Sequence, residues 1–178
     1  MPGGDREERF TRLVQEHADA LHRYLRRRYV VGDATDVEDL LADVLAVAWR
    51  RVDDIPDGAE LPWLYGVARR RLSNARTRRG RRERITATIR ARSASAPAED
   101  VALADLSLRE ALDRLPDKER EALTLTAWEG LSPPELALAL GVSVNAAAVR
   151  LSKAKSKLLS YLEDDEESSP RIATRTKP

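Results

Sequence analysis

At 178 residues and a net charge of +1, the chain is long enough for one domain or two small ones, and it contains no cysteine. That absence excludes disulfides, thiolate metal sites and thiol redox switching. No apolar run approaches a membrane span and Met1–Arg9 lacks the apolar core of a signal peptide, so cytoplasmic residence without membrane insertion is expected.

Phe10, Leu13, Val14, Leu21, Tyr24 and Leu25 fall on one helical face, which predicts a first helix from about Arg6 to Tyr29, ended by Gly32 and Asp33. Thr35 and Glu38 stand in capping-box register, and Val37, Leu40, Leu41, Val44, Leu45 and Ala48 predict a second helix through Trp49. Asp36, Asp39 and Asp43 lie at i, i+3 and i+7 of that helix, so an acidic stripe stays exposed when Leu40, Leu41 and Val44 pack inward. Taken alone, such a stripe is a solvated face whose first acids suit the helix dipole. The turn chemistry of Asp53–Glu60 predicts a loop, and Pro62 suits the first turn of a third helix.

The third helix carries the most informative stretch. Leu64, Val67, Ala68, Leu72 and Ala75 make its inner stripe, leaving Trp63, Arg70, Asn74 and Thr77 near another face, and helix propensity is expected to fail around Gly80. Arg69–Arg92 holds eleven arginines against the single acid Glu83, a local balance of +10 that leaves −9 for the rest of the chain. Such a basic segment suits nucleic acid, whereas acidic surfaces elsewhere would repel DNA and have to face something else. Arg69, Arg70, Asn74, Arg76 and Arg78 fit phosphate or groove contacts, and Trp63 and Tyr65 offer flat faces on which an unstacked base can lie. The plainer alternatives are a solvated basic run and two core rings.

From Ile85 to Asp105 the chain is rich in Ala, Ser and Arg without apolar periodicity, which predicts a linker. About twenty residues reach roughly 66 Å when extended and average about 25 Å as a flexible coil. Leu108, Leu112 and Leu115 then form a short stripe ending at Pro116, Asp117 is expected to cap a helix to about Trp128, and Gly130 closes it. Ser132 and Glu135 open the next helix as a capping box with prolines in its first turn; Gly141 ends it, and Ser143 caps a last long helix through Tyr161.

Leu131–Leu159 thus has a helix-turn-helix layout. Ala147, Leu151, Ala154 and Leu158 make a narrow buried stripe, while Asn145, Val149, Arg150 and Lys153 occupy the other side, with Ser143 at its head. That side fits a major groove: Arg150 suits a guanine edge, Asn145 an adenine edge and Val149 a thymine methyl, with Lys153 and Lys157 nearer phosphate. Ala146, Ala147 and Ala148 add little base-reading chemistry, so phosphate contact and DNA shape carry more weight there.

The chain therefore reads as all-α: two small helical domains at 6–84 and 106–162, a flexible linker at 85–105 and a disordered tail at 163–178. Its order resembles that of a bacterial RNA polymerase sigma factor of the sigma-70 family, extracytoplasmic-function group. The resemblance rests on Asp39-Leu40-Leu41-Ala42-Asp43 leading to Ala48-Trp49-Arg50, on Pro62 through Arg70, and on Leu115-Pro116 through Glu119-Arg120-Glu121 to the helix-turn-helix. It implies a sigma-2-like bundle that docks on the beta-prime clamp of core polymerase through Asp36, Asp39, Leu40 and Asp43 and recognises the minus-ten element. It likewise implies a sigma-4-like domain that reads the minus-thirty-five element beside the beta flap, and control by an anti-sigma factor. The Asp53–Leu61 loop and the start of the third helix would surround a flipped base, with Trp63 the main stacking residue.

Two rival functions are weaker. A conventional helix-turn-helix regulator accounts only for the C-terminal half, leaving the acidic stripe and Trp63 unexplained. A nucleic-acid enzyme would need a catalytic or metal cluster; His17 and His22 are five apart, poor spacing for a shared ion, and the three aspartates lack further oxygens. No catalytic residue, metal site or cofactor is expected.

Overall fold

The computed structural model of the chain describes residues 2–29, 34–86 and 103–168, and every regular element among them is helical. Helices α1 (Pro2–Arg28), α2 (Ala34–Arg50) and α3 (Glu60–Thr86) pack pairwise into a first bundle. The predicted stripes are its core: Leu21, Tyr24 and Leu25 of α1 meet Val37, Val44 and Ala48 of α2 and Leu64, Ala68 and Leu72 of α3. Burying each large apolar side chain contributes about 2 kcal/mol, so the match of period to packing accounts for the bundle. A short 3-10 turn, Val52–Asp54, then carries the chain into α3.

The second group contains α4 (Leu103–Arg114), α5 (Asp117–Glu129), α6 (Pro133–Leu140) and α7 (Val144–Ser168). Helix α7 packs against α4, α5 and α6. Leu115, Leu123 and Ala154 centre a small cluster of its own. Ser132 and Glu135 form the expected capping box, with the Ser132 N–H donating to Glu135 Oε2 at 2.8 Å. Gly130 and Gly141 close α5 and α6 in the left-handed conformation, at φ +70° and +67°.

Several boundaries differ from the sequence reading. Helix α3 passes through Gly80 to Thr86, because one glycine costs only about 1 kcal/mol relative to alanine in a run of arginines that favour helix. Pro116, in extended backbone, occupies the cap position of α5, so Asp117 is the first helical residue rather than the cap. Helix α7 extends past Tyr161 through residues expected to be disordered, since no breaker precedes Pro170. The middle of the expected linker (87–102), the end of the tail (169–178), Gly32 and Asp33 lie outside the described residues, as does the Thr35 side chain.

The two helical groups are in contact. Helix α6 packs along α3, and a single apolar core runs from Leu13, Tyr24 and Tyr65 to Leu125, Leu136, Ala139 and Ala147. The contact is close because Gly66 has no side chain: a Cβ there would lie 3.0 Å from the Ala139 carbonyl oxygen.

Candidate functional site

The residues singled out by sequence fall on three surfaces. On α2, Asp39 and Asp43 are exposed and Asp36 is half-buried, accepting a hydrogen bond from the Tyr29 hydroxyl at 3.2 Å. Leu40, named with the aspartates for the polymerase contact, is 8% exposed and belongs to the core, in keeping with the expectation that it packs inward. His22 Nε2 lies 3.1 Å from Glu38 Oε1 and links α1 to α2. Among the described residues no group of three or more His, Cys, Asp or Glu side chains could hold a metal ion.

The second surface is the loop before α3 and the start of that helix. Arg9 Nη2 donates to the Ile55 carbonyl at 2.5 Å and to Asp57 Oδ1 at 2.7 Å, and Arg6 Nη2 donates to the Trp49 carbonyl at 2.8 Å. The first helix therefore pins both ends of the 3-10 turn. Gly58, at φ +75°, allows the chain to double back, and its N–H donates to Glu60 Oε1 at 3.1 Å. Trp63 is half-buried against the core, with the Arg51 guanidinium 5.8 Å from its ring centroid.

Further along α3 the candidates separate by burial. Tyr65 is 3% exposed and packs on Tyr24 with ring centroids 4.8 Å apart, so in this arrangement it has no free face for a base. Its hydroxyl donates to Glu129 Oε2 at 3.3 Å; burial, then the Glu129 carboxylate, push its pKa up to about 12. Arg69 is committed as well: Nη1 lies 3.2 Å from Glu121 Oε2, and Nη2 donates to the Leu140 carbonyl at 2.9 Å. Arg70 and Asn74 are exposed, and the side chains of Arg76 and Arg78 lie outside the described residues.

The third surface belongs to α7. Ser143 accepts the Ala146 N–H at 3.2 Å, capping the helix as expected. Asn145, Val149 and Lys153 are exposed and Arg150 is half-buried, while Ala147 and Ala154 are fully buried. Lys157 departs from the others by approaching Glu119 of α5, with Nζ 3.4 Å from Oε1. That face thus carries one amide, one β-branched methyl pair and two cations, with Arg150 only partly open to solvent.

Sequence reasoning missed Arg27, Arg28, Glu121 and Glu129, which join the two groups of helices. The acidic balance outside the arginine segment signalled that some carboxylates face a partner, but periodicity within α1 and α5 does not say that they face each other.

Comparison with known proteins follows the same division. The family Sigma-70 region 2 matches residues 13–82, and Sigma-70 region 4 matches residues 105–158. RNA polymerase sigma factor CnrH of Cupriavidus metallidurans is 32% identical over 89% of this chain and 88% of its own. The ECF RNA polymerase sigma factor EcfG of Rhodopseudomonas palustris is 32% identical over 81% and 82% of the two chains. Among solved structures, the sigma factor RpoE of Bartonella quintana, in complex with the anti-sigma factor NepR, superposes with a TM-score of 0.63 at 25% identity, covering 88% of this chain and 98% of that one. CnrH in complex with the cytosolic domain of CnrY gives 0.58 at 30% identity, over 92% of each chain.

Proposed function

The chain belongs to the sigma-70 family of bacterial RNA polymerase sigma factors, in its extracytoplasmic-function group, and we propose how its helices divide the work of initiation. It is an alternative sigma factor that binds core RNA polymerase and directs transcription from specific promoters. Sigma factors are as a group initiation factors rather than enzymes.

In the division proposed, residues 6–84 dock on the polymerase clamp and engage the minus-ten element, and residues 106–162 engage the flap and the minus-thirty-five element. Asp39 and Asp43, with Asp36 beside them, form the clamp-facing stripe; their exposure on α2 supports this. The Asp53–Leu61 loop, held by Arg6 and Arg9, and the half-buried Trp63 receive the minus-ten base when it leaves its stack. Arg70 and Asn74, with Arg76 and Arg78 further along α3, hold the neighbouring backbone, and Arg69 joins them when released from Glu121. On α7, Asn145, Val149 and Arg150 face base edges, and Ser143, Lys153 and Lys157 the phosphates. An anti-sigma factor of the kind bound to RpoE and CnrH in their complexes is the proposed regulator.

One observation carries this reading. The segment matched to region 2 holds the open acidic face and Trp63, the segment matched to region 4 holds the open α7 face, and both lie on one chain. A conventional helix-turn-helix regulator leaves the match over residues 13–82 without a purpose. The test is transcription by purified core polymerase on a pool of randomised promoters, with and without the protein. Start sites that depend on added protein and share two sequence blocks are expected; sequence-specific binding by the protein alone, with no such transcripts, would overturn the assignment.

A further inference from the structure

The stretch between α2 and α3 is fastened largely from outside itself. Val52 and Ile55 are buried and anchor its inner side. Its outer side carries Asp53, Asp54 and Asp57, three carboxylates within five residues, in the loop proposed to receive a base from a polyanion. Each has an arginine of its own. Arg6 Nη1 lies 3.6 Å from Asp53 Oδ2, Arg51 Nε 3.1 Å from Asp54 Oδ2, and Arg9 Nη2 2.7 Å from Asp57 Oδ1. The three pairs carry no net charge, so they neither repel a phosphate backbone nor draw it into the loop, and a neutral base is the better fit.

Charge balance alone does not account for Arg6 and Arg9. The aspartates are largely exposed, and ion pairs open to water contribute little to stability. Unlike Arg51, these two arginines also take main-chain carbonyls. Arg6 Nη2 donates to Trp49 O at 2.8 Å and Arg50 O at 3.3 Å, the last two residues of α2, where a cation suits the negative end of the helix dipole. Arg9 Nη2 donates to Ile55 O, so its two contacts fall on either side of Pro56. The two side chains start one turn apart on α1 and share a face. Together they fix where the chain leaves α2 and where it leaves the buried turn. Beyond them come Gly58, at φ +75°, and the first turn of α3, where the Trp63 N–H donates to Ala59 O at 3.1 Å. The setting of the loop against the Trp63 ring is thus controlled from α1, an element with no residue in the proposed base site.

We infer that Arg6 and Arg9 are positioning residues for the minus-ten element: from α1 they hold the Asp53–Leu61 loop at the setting against Trp63 in which one base fits better than the others. The inference rests on the assignment of that loop to the minus-ten base, and it adds that selectivity there is governed by two side chains outside the base site. Arginine suits the task because its planar guanidinium holds a carbonyl and a carboxylate in one fixed geometry, which a lysine ammonium on a flexible stem does not.

The test uses the full chain with core polymerase on templates randomised at minus ten, the base preference at each position being read by sequencing the transcripts. Arg6→Ala and Arg9→Ala should each flatten the preference at one minus-ten position by about 10-fold. Preference at minus thirty-five, and the concentration of core polymerase for half-maximal transcription, should stay as in the wild type. Arg9→Ala combined with Asp57→Ala restores the charge balance but not the tie to Ile55, and should remain flattened. Gly58→Ala reaches the loop by an independent route: a Cβ there meets nothing within 4 Å, but the left-handed backbone is costly for alanine. It should flatten the same position, and Gly58→Asn, which tolerates that backbone, should recover it. Wild-type selectivity in both arginine variants would overturn the inference. So would recovery in the double variant, which would make the role one of charge, or a loss spread evenly over all promoters, which would make it one of folding. Absence of any minus-ten preference in the wild type, or an unchanged preference in Trp63→Ala, would instead defeat the assignment of the loop, so the two failures are distinct.

Discussion

Burial and the Glu129 carboxylate act on the Tyr65 phenol in the same direction, both favouring its neutral form and raising its pKa from the ordinary 10.0 to about 12. The folded form therefore binds the phenolic proton more tightly than the unfolded one. Its stability from this group is complete below pH 10 and is lost as pH rises towards about 12. The positive charges of Arg27 and Arg28 oppose the shift without reversing it. In Glu129→Gln the Tyr65 phenol should titrate at lower pH, read as tyrosinate absorbance, while buried Tyr24 remains the last to ionise; a titration curve identical to wild type would show that Glu129 does not act on it. Trp63 is predicted to act in opening rather than docking. Trp63→Ala should reduce open-complex formation about 10-fold or more, consistent with about 1–3 kcal/mol for a stacked base, while closed-complex binding changes little. Equal loss of both would make it a packing residue. The sequence offers both Trp63 and Tyr65 as rings for a base, but packing on Tyr24 of α1 and the hydrogen bond to Glu129 of α5 make Tyr65 a core residue.

At the scale of elements, the helix-turn-helix depends on its caps. Ser132→Ala removes the hydroxyl of the capping box, and Glu135→Ala removes the carboxylate that accepts the Ser132 N–H. Each should cost about 1 kcal/mol, measured by denaturant unfolding. The Ser132 hydrogen bonds hold the Glu135 carboxyl below its usual range. That contribution is present above the ordinary carboxylate pKa and fades as pH falls through the lowered value, so the Glu135→Ala difference should shrink in acid. These caps were legible in the sequence because their chemistry is local: Ser132, Glu135, Gly141 and Ser143 do in the structure what their spacing implied. Boundaries were less legible where a weak local signal met a strong neighbour. Gly80 did not end α3 and Asp117 did not cap α5, since flanking helix formers and the extended Pro116 outweighed them. The stripes that build α1, α2 and α7 followed from period alone.

For the whole molecule, the helices and their inward faces could be read from sequence, but the meeting of the two groups could not. It depends on Gly66 passing Ala139 and on Glu129 reaching Arg27 and Arg28, contacts between residues far apart in the chain that carry no shared periodicity. Such a shared core has a thermodynamic consequence. If Leu125, Leu136 and Ala139 bury themselves against Tyr24, Tyr65 and Ala68, neither group can unfold without exposing part of the other. Urea unfolding of the wild type should then be one transition, coincident by far-UV circular dichroism and by tryptophan fluorescence. The tryptophans make the comparison informative, because Trp49 and Trp63 belong to the first group and Trp128 to the second. A Trp128→Phe variant reports the first group alone, and its fluorescence midpoint should still match the dichroism midpoint. In Gly66→Leu the same two probes should separate, since each group keeps its own stripe while the shared core is lost. Separate midpoints already in the wild-type sequence would mean that the two groups are thermodynamically independent, and the contacts at Glu129 and Gly66 would then be too weak to couple them.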